Sequence, residues 1–313
     1  MNFFLRRRLT AVAAAAAAAF GSAVPVASAS ADRPSYPVGD YWTSLSNFVL
    51  SPGAVAGANV WSCKPSAEHP RPVVIVHGTT SNFGAAGAMI APTLANAGYC
   101  VYGFNYGETY STLGHIYGLG DIARSARTMS AFVDRVLAAT GAAEVDVVGG
   151  SQGGMMPNHY IKRLGGAAKV RTLIGLGPTN HGTTLNGLVN VGRALGVLGL
   201  VNGVYHLIGS PAHVQQQEGS DFQNALFADG DTVPGVRYLT IATKHDTTVT
   251  PLTNSFLHGD GATNILLQDL CPDDPVSHSG MSYDGPIMQI VLNTLGPDVP
   301  GFRPQCTGYG PNV

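Results

Sequence analysis

The sequence predicts an α/β protein with a mostly parallel central sheet and helices on both faces. Three observations predict it. Short β-branched runs alternate with segments of helical period, which is how chains of βα units read. One of these runs, residues 144–149, passes directly into Gly149-Gly-Ser-Gln-Gly153 and then into a helical stretch. A nearly uncharged Leu-, Val- and Gly-rich segment, residues 183–208, breaks the alternation once, as a small apolar cap over the C-terminal edge of the sheet would.

The elements follow in chain order. Residues 32–52, rich in aromatic, Ser and Pro residues, read as an extended entry segment. Pro72-Val-Val-Ile-Val-His77 is the apolar run of a buried parallel strand. Residues 85–97 have helical composition and stop at Gly98, and residues 99–105 read as the next strand. Residues 121–140 form the clearest helix. Its Ile122, Ala126, Met129, Val133, Val136 and Leu137 recur at three- and four-residue spacing, and Gly141 ends it. A helix over 152–164 follows the glycine motif despite Pro157, then strands at 170–176 and 236–243, and a final amphipathic helix at 281–295.

Composition bounds the setting. Residues 1–31 carry Arg6-Arg7-Arg8, an apolar run over 9–20, and Ala29-Ser30-Ala31, which predicts a secretory signal cleaved before Asp32. The run is well short of the roughly 20 residues of a spanning helix. Residues 32–313 are then one exported domain, expected to be a monomer. A net charge of −2 with only 12% charged residues excludes the clustered Lys and Arg of nucleic-acid binding. Cys63, Cys100, Cys271 and Cys306 predict two disulfides in an exported chain. Three pairings are open. Neighbour pairing, Cys63 to Cys100 and Cys271 to Cys306, closes two loops, each contributing roughly 3–4 kcal/mol in the chain-entropy picture. The competing zinc site lacks any Cys-x-x-Cys or close Cys/His cluster.

The chemistry centres on Ser151. In G-x-S-x-G the serine sits on a tight strand-to-helix turn that projects its hydroxyl from the sheet, and the flanking glycines clear the crowded turn. A phosphate cradle is the alternative, but the Lys-Ser/Thr of a P-loop is missing. A serine hydroxyl needs a base, and on such a scaffold the chain order is Ser, acid, His. Asp246 directly follows the strand at 236–243. Asp229, Asp231, Asp260, Asp269, Asp273 and Asp274 sit before that strand or in later turns. Only His258 and His278 follow Asp246, and His278, just before the last helix, is the expected base. Thr79, after His77-Gly78, and Gln152 would supply oxyanion N–H donors, each worth roughly 3–4 kcal/mol. His77 reads as a structural loop residue. Leu185, Leu188 and Val189 of the 183–208 segment would form an acyl-binding wall or a mobile cap, with Phe83, Tyr106 and Tyr110 also near the cleft.

His77-Gly-Thr79, Gly149-Gly-Ser-Gln-Gly153, Thr179-Asn-His-Gly-Thr183, Lys244-His-Asp246 and Asp274-Pro-Val-Ser-His278 resemble the class 2 bacterial lipases and esterases of actinobacteria. These are α/β-hydrolases similar in design to the Burkholderia/Pseudomonas lipases and to Candida antarctica lipase B. The resemblance runs from about Tyr41 to near the C-terminus. It implies the α/β-hydrolase fold, lipase or carboxylesterase activity on ester or lipid substrates through a Ser-His-Asp triad, no organic cofactor, and the same oxyanion donors. Two departures stand out: Gly150 replaces a His before the nucleophile, and the carboxylate pair of the relatives' calcium site is not found, so no metal is expected. A transient contact with a lipid interface is expected of the cap. A polyester depolymerase or an acyltransferase would use the same residues with a different cleft. A non-catalytic carrier of apolar ligands is the reading from another class.

Overall fold

The computed structural model describes residues 35–297, 299 and 301–313. The predicted signal segment and its cleavage point lie outside the described residues. The elements are α1 (Tyr41–Leu50), β1 (Val73–Val76), α2 (Phe83–Asn96), β2 (Val101–Gly103), α3 (Ile122–Thr140), β3 (Val145–Gly150), α4 (Gln152–Arg163), β4 (Val170–Leu176), α5 (Leu188–Ala194), α6 (Leu198–Leu207), α7 (Pro211–Gln215), α8 (Asp221–Phe227), β5 (Arg237–Ala242), β6 (Ala262–Leu266), α9 (Leu267–Leu270) and α10 (Gly285–Leu295). Short 3-10 turns complete the chain, one of them over His278–Tyr283.

Six strands form one sheet in the order β2-β1-β3-β4-β5-β6, and every neighbouring pair is parallel. Side chains alternate across each strand, so each strand feeds both faces. Val74, Val76, Val145 and Val147 meet Met129, Val133 and Val136 of α3 and Met155, Met156 and Tyr160 of α4. Val73, Ile75, Val148 and Ile174 meet Ile90 and Leu94 of α2 and Ile287, Ile290 and Val291 of α10. This is a two-sided α/β architecture, as the sequence predicts. The chain leaves β1 towards β2 and returns on the opposite side at β3. The C-terminal ends of β1 and β3 are therefore a topological switch point, where open α/β sheets leave a crevice for ligands.

The helix at 121–140 forms as its spacing predicts. Asp121 caps it by accepting from Arg124 N, and Gly141 ends it in the left-handed region at φ 78°. The expected entry segment is instead partly helical: α1 is capped by Asp40, which accepts from Thr43 N at 2.8 Å. The helix at 281–295 divides into the 3-10 turn and α10, which Asp284 caps. β6 was unforeseen; its half-exposed side chains give little alternation to read. Both disulfides join neighbours, Cys63 to Cys100 and Cys271 to Cys306. Among the described residues no single helix is long and apolar enough to cross a membrane.

Candidate active site

Ser151 occupies the sharp turn between β3 and α4, at φ 54° and ψ −127°, a conformation unusual for a residue with a side chain. Local contacts impose it. Ser151 N donates to Leu176 O of β4 at 2.9 Å, and Ser151 O accepts from Gly154 N at 2.9 Å. The flanking glycines have no room for a methyl. A Cβ on Gly149 would lie 2.0 Å from Gly153 O, and one on Gly153 would lie 2.2 Å from Val76 O. The elbow is thus wedged between β1 and β4.

Asp246 follows β5, and its side chain is 2% exposed. Its Oδ1 accepts from Thr248 N and Val249 N, both at 2.8 Å. Its Oδ2 lies 2.7 Å from His278 Nδ1. A proton on Nδ1 donates to the carboxylate, which leaves Nε2 as the acceptor. Sequence reasoning passed over Gly177, after β4, at φ 53°. A Cβ there would come within 3.1 Å of His278 Nδ1 and 3.2 Å of Asp246 Oδ2. Its bareness lets the imidazole and carboxylate meet. His258 lies elsewhere: its backbone N–H donates to Asp231 Oδ2, which also contacts His181 Nε2 at 3.1 Å.

Thr79 and Gln152 lie side by side, with Thr79 Oγ1 donating to Gln152 Oε1 at 2.6 Å. Among the described residues no acceptor takes up either backbone N–H. Gln216 Nε2 donates to Thr79 Oγ1 at 2.7 Å, and Thr179 Oγ1 donates to Gln216 Oε1 at 2.9 Å. Gln216, just after α7, was not foreseen. It reaches the loop after β1 from 137 residues away, and no spacing signals that. His77 is fully buried and structural, as its sequence position suggests. Its Nδ1 donates to Gly78 O at 2.8 Å and its ring stacks on Tyr106 at 4.2 Å. Burial pushes the His77 pKa down to about 4, so the ring is neutral at pH 7.

Ser151, His278, Gly78 and Thr79 line one cavity of about 450 Å³. Its apolar walls include Tyr41, Leu45 and Phe48 from α1, with Leu185 and His213 also in its lining. Of the four residues expected to touch substrate, only Leu185 lines this cavity. Phe83 is a correction: it opens α2 with its side chain directed inward, and a methyl on Gly103 would overlap its ring. Leu188 is 70% exposed and Val189 is buried, and neither lines the cavity. Adjacent helical residues differ by about 100° around the axis, so one faces water and the next the interior. Tyr106 is buried, and exposed Tyr110 donates its hydroxyl to Leu207 O.

The 183–208 segment forms α5 and α6, bent by 119°. α6 has no buried residue, and Leu195, Leu200 and Leu207 are more than 70% exposed. Tyr205 of α6 stacks on His213 of α7 at 4.8 Å, and Gln217 Nε2 donates to Asn202 Oδ1 at 2.7 Å. The apolar hairpin is therefore held to the rim of the cavity by a few contacts.

Known proteins share this architecture. Residues 70–266 match the family model described as lipase (class 2). Aspergillus fumigatus lipase B superposes with a TM-score of 0.59 at 20% identity, over 81% of this chain and 62% of that one. The chain thus spans less than two thirds of the length of that enzyme. Bacillus licheniformis lipase BlEst2 in its mature form matches at 19% identity with a TM-score of 0.48, over 64% of this chain and 84% of its own. The structural likeness is one of fold, and the family match covers more than half of the sequence, including the elbow and Asp246: the chain belongs to the class 2 lipase family.

Proposed function

We propose that the chain is a secreted serine hydrolase that cleaves carboxylic esters, as a lipase or carboxylesterase, through Ser151, His278 and Asp246. The observation that carries this reading is the 2.7 Å contact between His278 Nδ1 and Asp246 Oδ2, in a site where His278 shares one cavity with the serine of a strained elbow. Ser151 Oγ attacks the ester carbonyl while His278 Nε2 takes its proton. The oxygen that becomes negative is received by the N–H groups of Thr79 and Gln152. His278 returns the proton to the leaving alcohol. A water then attacks the acyl-enzyme, His278 again acting as base, and the acid is released. Asp246 holds the tautomer and stabilises the imidazolium.

The family match, the largely apolar cavity and the exposed α5–α6 hairpin support a lipid ester as substrate and a transient contact with a lipid surface. The signal-like residues 1–31 and the two disulfides support export. A fluorophosphonate probe is expected to modify Ser151, as mapped by mass spectrometry. Ser151→Ala is expected to abolish labelling and to lower kcat by about 10⁴-fold or more with the fold retained. Labelling at another residue, or full activity in Ser151→Ala, would end this reading.

A further inference from the structure

The segment that carries His278 begins and ends on buried carboxyls. Asp274 and Asp284 are both fully buried, at 0% exposure. Asp274 Oδ1 accepts from Val276 N at 3.0 Å. Asp284 Oδ1 caps α10 by accepting from Ile287 N at 2.8 Å, and its Oδ2 accepts from Gly310 N at 2.9 Å. Among the described residues the second oxygen of Asp274 has no N–H or hydroxyl donor, and the Asp284 carboxyl is close enough to hydrogen-bond to Asp274. Such a contact requires a proton on one of them.

The surroundings favour keeping that proton. The titratable groups that face the pair are His245 on the loop after β5 and Tyr309 on the C-terminal tail, and Asp273 on the same segment also acts on Tyr309. α10 has no titratable side chain, and among the described residues no Lys or Arg acts on the pair. Two adjacent buried carboxylates, offset only by His245 beside Asp274, cannot both ionise cheaply.

The pair also joins the base segment to the tail. Gly285 N donates to Gly308 O at 2.8 Å, Ser277 N to Pro311 O at 3.3 Å, and Val313 N to Ser277 Oγ at 2.8 Å. A Cβ on Gly280, within the turn that His278 opens, would lie 2.2 Å from Pro311 O. The Cys271–Cys306 disulfide closes the same loop. The tail therefore lies flush on the turn that carries the imidazole.

We propose that Asp274 and Asp284 are positioning residues for His278, a carboxyl pair whose shared proton clasps the base-bearing turn to the C-terminal tail. The proposal rests on the reading of His278 as base. When the proton leaves, the two carboxylates repel, the turn loosens, and the imidazole drifts from its place beside Ser151. Burial, reinforced by the neighbouring Asp274, pushes the Asp284 pKa up to about 7. The enzyme therefore loses activity on the alkaline side of neutrality. Stability follows a different window: a carboxyl raised from 3.8 to about 7 contributes fully below 3.8, loses that contribution as pH rises towards 7, and is level above it.

The test compares wild type with Asp284→Asn, Asp274→Asn and Asp284→Ala between pH 4 and 9, reading kcat, KM and Tm with a soluble short-chain ester. An amide at 274 keeps its oxygen for Val276 N and turns its NH2 to Asp284 without ionising, whereas an amide at 284 can donate to Asp274 only by giving up one of its two backbone N–H partners. We expect wild-type kcat to fall about tenfold above pH 7 with KM little changed, the size expected of a displaced base. The Asn variants should lack that limb, and Asp284→Ala should be slow at every pH. Wild-type Tm should lose ground against Asp284→Asn as pH rises from 4 to 7 and then run parallel. Superimposable kcat profiles for wild type and both Asn variants overturn the proposal, as does a constant Tm difference. The Tm comparison can be repeated in a Ser151→Ala background, where it is independent of chemistry. Failure of the active-site reading, seen as hydrolysis that survives Ser151→Ala, is thereby separable from failure of the clasp.

Discussion

Gly153 stands where the start of α4 passes the end of β1, and adding one methyl there tests the elbow directly. A Cβ at this position would lie 2.2 Å from Val76 O and 2.4 Å from His77 O. An unstrained carbon–oxygen contact is about 3.3 Å, so helix and strand must separate by about 1 Å. Both obstructing atoms are backbone, and no side-chain rotation relieves them. Overpacking then costs about 3 kcal/mol, the upper end of the usual range. At about 2–4 °C per kcal/mol for a domain of this size, Tm should fall by about 6–12 °C. The same displacement moves the Thr79 loop, which continues β1, against Ser151. A misplacement of about 1 Å between reacting groups lowers kcat/KM by about 100-fold. Circular dichroism melting at pH 7 and hydrolysis of a soluble ester measure both effects. Gly203→Ala on exposed α6, where nothing lies within 4 Å of the added methyl, is the control and should be neutral or slightly stabilising. The reasoning is refuted if Gly153→Ala stays within about 1 °C in Tm and twofold in rate of wild type.

Two further outcomes are expected. His77, held at about 4 against 6.5 for a free imidazole, contributes stability that is complete above pH 6.5 and is lost as pH falls towards 4. The full effect is about 3 kcal/mol, and the Tm difference between wild type and His77→Asn should widen over that rise in pH; a constant difference rejects it. This slope opposes the one from Asp284, which is why each is read against its own variant. On α5–α6, Leu195→Gln with Leu200→Gln should weaken lipid-surface contact by about 2 kcal/mol, lowering the ratio of emulsion to soluble-ester rates about 30-fold. An unchanged ratio removes the hairpin from the interface.

Much of the candidate site was legible because its signals are local. The elbow needs glycines at fixed offsets from Ser151, since only bare backbone fits between β1 and β4. Asp246 could be found because it follows a clear strand, and His278 because the last helix comes soon after it. Sequence order cannot show which way a side chain turns once its element is packed. Phe83 was placed near the cleft yet points into the core, and Leu188 and Val189 were grouped although one helical step sends them to opposite environments. α1 was missed because its sequence of β-branched, aromatic and Ser residues has weak helical propensity. It is secured by packing on α2, by Asn47 Nδ2 donating to Gly84 O, and by Ser44 contacting the Tyr283 hydroxyl.

What the sequence by itself determined is the α/β alternation, the glycine-flanked serine turn, and the places of Asp246 after a late strand and His278 before the last helix. Each follows from steric or chemical rules acting over a few residues, or along a chain whose strands all run the same way. Only the tertiary structure decided which cysteines pair, the cavity walls on α1, the approach of Gln216 to Thr79, the opening left by Gly177, and the burial of Asp274 and Asp284. Those depend on how rigid elements come to rest against one another. That is set by the summed packing of both faces of the sheet, and no short stretch of sequence contains it.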